Sequence, residues 1–371
     1  MATIYVGPTS AGAADGTSWA NRYGSLNAAE DRPVAAGDTV YVGAGTYRET
    51  LTVDVSGSAG SPITYIGDYT GANTDGVGGV VRITGSDNDQ TAVRNRGIDA
   101  NAKHYRTFRG FVLDTVGGGT APFALVHGTS CTDWVVEQCY LGLSASVGID
   151  CNGAGQLRWT IQNCYVFLGQ QIGIYLNHSG AVNNTAHVIQ NCVFPGGYIA
   201  IYPKGIGGAT VRNSFIGPHE LDGILANELA AGQTTTVNNS FVWGCGNGLR
   251  AITAGQLTEN YNCLFGNNTA RVNVTTGANS VAYPPFFDTR WFFELVGGGN
   301  MLTPFDLASY SQLVNLAGTS PTTTDMRGTS VIGAQREWGP LEYDPALLIE
   351  AGSGGGGPVV GSRIIRGLGA L

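Results

Sequence analysis

The sequence predicts an all-β solenoid, a spiral of short parallel strands stacked coil on coil. Three observations predict it. A short phrase recurs as EQCYL at 137–141, QNCYV at 162–166, QNCVF at 190–194, RNSFI at 212–216, NNSFV at 238–242 and YNCLF at 261–265. Its Cys or Ser positions, Cys139, Cys164, Cys192, Ser214, Ser240 and Cys263, lie 25, 28, 22, 26 and 23 residues apart, a loose period typical of solenoids. Around each copy, apolar residues alternate with polar ones at period two, which marks strands rather than helices.

The alternation is regular enough to assign columns. Val136, Ile161, Ile189, Val211 and Val237 precede the Cys or Ser by three positions, and Asn260 breaks that column in the last copy. A second alternation follows in Ile149/Cys151, Ile174/Leu176, Ile199/Ile201, Ile224/Ala226 and Leu249/Ala251. With two or three strands per repeat in constant order, each coil lies on the last and like residues stack about 4.8 Å apart. Asn163, Asn191, Asn213, Asn239 and Asn262 then form a ladder at a bend, where amide-to-amide bonds satisfy polar groups.

Composition narrows the function classes. Of 371 residues, 43% are hydrophobic and only 12% charged, so a large core can form, and 57 glycines suit a chain of many turns. The net charge of −8, without a basic run, argues against nucleic acid, whose phosphates call for clustered Lys and Arg. The seven Cys include no CxxC pair, so they read as reduced, buried small hydrophobes rather than zinc ligands or disulfides. No metal and no cofactor is expected. No apolar run is long enough to span a membrane. Met1 leads into ATIYVG without a basic or apolar leader, so folding in a reducing cytoplasm is expected.

Taken in order, residues 2–7 read as a first strand, and 25–35 as a short helix with Ser25 as N-cap and Pro33 near its end, covering the open end of the solenoid. Residues 37–53 give two strands around a Gly turn, and 61–71, 79–87 and 105–114 further coils before the regular stack. The expected organisation is an N-terminal strand and capping helix at 1–36, the solenoid at 37–290, a closing segment at 291–345, and a Gly-rich linker with a terminal strand at 346–371. In that tail, Val359, Val360, Ile364 and Ile365 with Arg363 and Arg366 read as a tethered strand that docks on a partner or a neighbouring copy through residues 352–371.

DGTSWANRYGSL, GDTVYVGAGTYRETLTV and SPITYIGD resemble the opening of the parallel β-helix proteins of the pectin-lyase-like superfamily. YSQLVNLAGTSP at 310–321, TDMRG at 324–328 and VIGAQREWGPLEYDP at 331–345 resemble the closing segment of its secreted or phage-borne members. The resemblance spans roughly residues 3–345 and implies a right-handed, single-stranded parallel β-helix of about ten coils. It implies less about function, since the superfamily holds pectate lyases, glycosidases, phage tailspikes and non-catalytic structural proteins. Homotrimers are common among its phage members.

Chemistry is expected on an outward sheet or in the loops. Aligning the coils places Asp150, Tyr175, Ala200, Leu225 and Arg250 in one outward column, with Asp150 and Arg250 about 19 Å apart, too far to act together. Asn152, Asn177, Tyr202 and Asn227 form the next column. Tyr175 and Tyr202 are the glycan-stacking candidates. The acidic cluster HELD at 219–222 supplies the catalytic candidates His219, Glu220 and Asp222, the two carboxylates sharing a face. SDNDQ at 86–90 offers Asp87 and Asp89 as oxygen ligands for calcium, too few by themselves. The stack lacks several Asp beside a Lys or Arg, which a pectate-lyase-like site needs. The leading reading is therefore a structural virion protein of a bacteriophage (head decoration, spike, fibre or tailspike) with affinity for a cell-surface polysaccharide. The alternative is a polysaccharide lyase or glycosidase, with an extracellular location.

Overall fold

The computed structural model describes residues 1–282 except 33, 118–122, 143–145, 156, 168–170, 179–185 and 206. The closing segment at 291–345 and the docking strand with Val359, Val360, Arg363, Ile364, Ile365 and Arg366 lie outside the described residues. No helix among those described is long and apolar enough to cross a membrane.

The chain is an all-β parallel solenoid with three sheets. The first has ten strands, from Thr3–Val6 through Thr39–Val42 to Leu257–Asn260; the second and third have nine each, starting at Gly45–Tyr47 and Leu51–Thr52. Each turn visits the three in that order, and every pairing between sheet strands is parallel to the turn before, as in Val136 with Ile161 and Ile161 with Ile189. The stretches at 61–71 and 79–87 are two strands of one coil, Ile63–Gly67 and Val81–Thr84, rather than separate coils. Likewise 37–53 holds three strands, a full turn of the spiral.

The step from the first sheet to the second is tight. Residues 138–139 alone separate Glu137 from Tyr140, and the same spacing recurs in every later coil. Gln138, Asn163, Asn191, Asn213 and Asn239 hold the left-handed conformation there, with φ between 51° and 54°. Asn tolerates that region better than other side chains, which explains the column. Asn191 Nδ2 also donates to Asn163 Oδ1 at 3.2 Å.

The next position needs a small side chain that closes back on the chain. Cys139, Cys164 and Cys192 each donate Sγ–H to the carbonyl two residues earlier at 3.2 Å, and Ser214 and Ser240 do so through Oγ at 3.0 Å. The hydroxyls do more. Ser214 Oγ accepts from Cys192 N, and Ser240 Oγ from Ser214 N, both at 3.2 Å. All seven cysteines are buried and unbridged, as expected, and burial pushes the Cys139 and Cys164 thiols well up.

The last coil is offset by one residue from the sequence alignment. Cys263 pairs with Phe241, so Tyr261 takes the left-handed position with φ 53°, and Asn262 takes the Cys/Ser position. Asn262 is thus not a member of the Asn column, nor Cys263 of the thiol column. The substitution works because Asn262 Oδ1 accepts from Ser240 N at 2.9 Å, the bond a serine hydroxyl makes one rung earlier. Glu259, not Asn260, then stands opposite Val237 in the apolar column. Its buried carboxylate accepts from Gly277 N at 2.7 Å, Asn262 Nδ2 at 2.8 Å and Arg271 Nε at 2.9 Å. Burial raises its pKa, but these bonds outweigh that and hold it below the usual range.

The interior is filled by stacked side chains. Tyr65, Phe108, Trp134 and Trp159 run as one aromatic pile with centroids 5.3, 5.3 and 5.1 Å apart. At the N-terminal end the helix is shorter than 25–35, spanning Leu26–Asp31, and Ser25 Oγ caps it by accepting from Ala28 N at 3.2 Å. Glu49 takes the remaining donors, Leu26 N at 2.8 Å and Asn27 N at 3.2 Å. Leu26 and Ala29 are buried against the first coil. Glu30, on the same helical face, forms a fully buried bidentate pair with Arg106, at 2.8 and 2.9 Å.

The outer faces differ. On the first sheet, Thr39, Thr64, Thr107, Thr160, Thr210, Thr236 and Thr258 share one column with the isosteric Val135 and Val188. These β-branched residues suit a half-exposed pleat. Beside them Arg109, Glu137, Gln162, Gln190 and Arg212 bond side chain to side chain up the stack, at 2.6–2.8 Å. The third sheet carries Asp99, His127, Asp150, Tyr175, Tyr202 and Arg250.

Candidate functional site

The outer column of the third sheet contains Asp99, His127, Asp150, Tyr175, Tyr202, Leu225 and Arg250, paired rung to rung. Tyr202 stands where the sequence alignment put Ala200. The true partner of Ile174 is Ile201, not Ile199, and Ala200 is buried. A slip of two residues preserves the in-and-out alternation, so the hydrophobic pattern could not reveal it. A Cβ on Gly173 would stand 2.3 Å from Ala200 O in the next rung, so only a residue without one fits.

The corrected register brings the two tyrosines together, with centroids 5.1 Å apart and a 36° tilt. Tyr202 Oη accepts from Asn227 Nδ2 at 2.8 Å. Burial, then the neighbouring Tyr202, Asp150 and Glu228, push the Tyr175 phenol up to about 12. The next column holds Thr129, Asn152, Asn177, Lys204 and Asn227, with Lys204 where Tyr202 had been expected. Asn177 Nδ2 donates to Asn152 Oδ1 at 3.1 Å, and Lys204 Nζ lies 3.8 Å from Glu228.

Asp150 lies one rung below Tyr175 and His127 two; His127 Nδ1 donates to Asp150 Oδ2 at 3.0 Å, and Thr129 Oγ1 lies 3.1 Å from His127 Nε2. Both His127 and Asp150 are buried, and Asp150 Oδ1 is without a partner. Sequence reasoning placed Asp150 outward but missed His127, because the recurring phrase starts only at 137. The signal was Val126 and Gly128 flanking a His, in step with Ile149 and Cys151 about Asp150. Arg250 is four rungs from Asp150, as the alignment required.

HELD is split by a bulge. Gly197 pairs with His219 and Ile199 with Asp222, so one strand carries an extra residue and the period-two rule fails across it. Glu220 is exposed while Asp222 and His219 are buried, so the two carboxylates do not share a face. His219 Nε2 donates to Phe194 O at 3.3 Å, and burial lowers its pKa to about 4. Asp222 Oδ1 accepts from Asn247 Nδ2 at 2.9 Å and lies 3.4 Å from Arg250 Nε. Burial raises the Asp222 pKa, and Asn247 and Arg250 oppose it.

The SDNDQ carboxylates are committed elsewhere. Asp89 pairs with Arg48 at 2.7 Å and Arg82 at 2.5 Å, which holds it down at about 2, and Asp87 pairs with Arg94 at 2.7 Å. Among the described residues no group of three His, Cys, Asp or Glu is arranged around a metal position.

No family model matches this chain, and no curated protein matches it. Solved structures are similar to it at low identity. Pectate lyase Pel9A is similar at 16% identity over 93% of this chain and 97% of its own, with a TM-score of 0.48. A pectin methylesterase from Aspergillus niger is similar at 15% identity over 76% of this chain and 84% of its own, with a TM-score of 0.42. A rhamnogalacturonan lyase is similar at 14% identity over 76% and 87%, with a TM-score of 0.34. At such identities fold and function part company, so the functional reading rests on this chain's own residues.

Proposed function

We propose that the chain is a glycan-binding β-solenoid whose ligand lies along the outer face of the third sheet. The observation that carries this reading is the in-register pair Tyr175 and Tyr202, on successive rungs beside a column of Asn152, Asn177, Lys204 and Asn227. Aromatic surface bordered by amides suits a sugar ring, with its apolar C–H patches and hydroxyl rim. Native-gel mobility in polysaccharide-containing gels tests it. Tyr175→Ala and Tyr202→Ala should each abolish most of the retardation, and unchanged retardation in both would refute the face.

In the same reading the solenoid is a structural component of a bacteriophage virion, presenting this face to a cell-surface polysaccharide. It would be held to other virion proteins or neighbouring copies, as in a homotrimer, by residues 352–371. Rung-on-rung bonding and unbridged buried thiols suit a shear-resistant protein folded in the host cytoplasm. Deleting 352–371 should abolish incorporation and leave the fold intact; normal incorporation sinks the docking role. A lyase or glycosidase reading has one observation in its favour, the His127–Asp150 pair beside Tyr175. It predicts release of reducing or unsaturated ends that His127→Ala abolishes.

A further inference from the structure

Strand geometry brings a hydroxyl, an imidazole and a carboxylate together. His127 and Thr129 are two apart in the strand Ala124–Thr129, so period two puts both on one side of the third sheet. The parallel register then sets Asp150 of the next rung opposite His127. Asp150 Oδ2 lies 3.0 Å from His127 Nδ1, and Thr129 Oγ1 lies 3.1 Å from His127 Nε2. A carboxylate only accepts, so the neutral imidazole carries its proton on Nδ1, and Nε2 accepts from the Thr129 hydroxyl. Each group is in hydrogen-bond reach of the next, the arrangement that activates an alcohol as a nucleophile.

Exposure decides which member a ligand meets. His127 and Asp150 are buried and both ring nitrogens are engaged, whereas Thr129 is exposed at the end of its strand. A substrate therefore meets the hydroxyl, with the imidazole behind it. The coil itself does not need the buried pair, because Tyr175 and Tyr202 fill the same column on the next two rungs. The pair also leaves Asp150 Oδ1 buried without a hydrogen-bond partner among the described residues, which costs stability. A breach of that kind is expected at a functional site rather than in a scaffold.

We infer that Thr129, His127 and Asp150 form a hydrolytic centre for carboxylic esters, with Thr129 as nucleophile, His127 as general base and then acid, and Asp150 as the positioning residue. Thr129 Oγ1 attacks the ester carbonyl carbon while its proton passes to His127 Nε2. The bond from that carbon to the alcohol oxygen breaks, the alcohol takes the proton from Nε2, and the acyl group stays on Thr129. Water then attacks the acyl carbon and gives a proton to Nε2. The carboxylic acid leaves as Thr129 Oγ1 takes that proton back. Tyr175 lies two rungs from His127, about 10 Å along the axis, so a glycan held there runs past Thr129. The substrate is accordingly an O-acylated sugar, whose backbone is left uncut. That choice of substrate rests on the glycan-binding reading above; the ester chemistry does not.

The full chain is treated with a fluorophosphonate and with p-nitrophenyl acetate, and acetate release is followed from acetylated xylan, glucomannan and pectin. The expected results are a phosphonyl adduct on Thr129, located by peptide mass spectrometry, turnover of p-nitrophenyl acetate, and acetate release from at least one polymer. Thr129→Val keeps the shape without the hydroxyl, and His127→Phe removes the base. Each should lower kcat on p-nitrophenyl acetate about a hundredfold or more, while Thr129→Ser, which keeps a hydroxyl, should retain most of it. Asp150→Asn should lower kcat and leave KM unchanged, because it alters where the imidazole proton sits and not what binds. Thr210→Ala, on the first sheet, should change nothing. Folding is checked by circular dichroism, and the two variants of exposed Thr129 decide the matter if a variant of a buried residue fails to fold. No adduct on Thr129 together with no turnover overturns the centre. Undiminished turnover in Thr129→Val overturns the role of Thr129. Turnover of p-nitrophenyl acetate without acetate release from any of the three polymers overturns the sugar ester as substrate, and retardation in polysaccharide gels reports separately on the glycan-binding reading.

Discussion

Replacing Arg106 with Met should release the N-terminal helix from the solenoid. Arg106 and Glu30 are completely buried, and their two parallel bonds at 2.8 and 2.9 Å are the tie between helix and third coil. Glu30 also accepts from Tyr65 Oη at 2.6 Å and Asp54 N at 3.0 Å, and Arg106 Nε donates to Val55 O at 2.8 Å. Met fills the volume but leaves the Glu30 carboxylate buried with two neutral donors. Stranding one member of a buried pair costs about 3–5 kcal/mol. Each repeat contacts only its neighbours, so the loss should stay local. The assay is native-state hydrogen exchange. Amides of Leu26–Asp31 and of Asp54 should lose between about two and four orders of magnitude of protection, the same energy in exchange terms. Amides of Val211 and Val237, several coils away, should not change. Adding Glu30→Met should restore most of the protection, because two apolar residues of similar volume often match a buried pair. Loss below about fivefold in Arg106→Met, or no recovery in the double variant, would refute this account of the cap.

Three further outcomes are expected. His219 is buried neutral with a pKa near 4, below the unfolded value, so the unfolded chain binds more protons between those values. Stability should therefore be full above about pH 6.5 and fall by roughly 3 kcal/mol toward pH 4, and His219→Gln should flatten that limb of a urea-midpoint-versus-pH plot. Ser214→Ala removes the acceptor of Cys192 N and the donor to Arg212 O, and should cost about 1–3 kcal/mol by thermal unfolding, while Ser214→Cys, the residue used elsewhere in the column, should cost less. Asn191→Ala at φ 53° should destabilise by about 1–2 kcal/mol, and Asn191→Gly by less, measured the same way.

Much of the coil was legible because the repeat carries its own chemistry. A left-handed corner selects Asn, and a tight pocket beside it selects Cys or Ser, whatever lies in the connections. Where reading failed, the failure has a physical form. From Tyr165 to Ile172 the chain advances seven residues and from their rung partners Val193 to Ile199 only six, while Ile199 and Ile201 keep a period of two, so a two-residue slip cost nothing in hydrophobic pattern and hid the Tyr175–Tyr202 pair. In the last coil the Asn-Cys dipeptide imitated the repeat one residue out of step, and buried Glu259 broke the apolar column with partners the pattern cannot supply. HELD misled because a bulge separates Glu220 from Asp222.

By itself, the sequence determined the kind of turn, the small polar column, the parallel stack and the separation of Asp150 from Arg250, since these follow from one coil repeated at the fixed spacing of backbone hydrogen bonds. Only the tertiary structure decided which side chains meet: His127 with Asp150, Tyr175 with Tyr202, Asp222 with Arg250, and Glu30 with Arg106 from 76 residues away. Such meetings depend on connection length and on bulges, which shift one rung against the next without disturbing the pattern inside either.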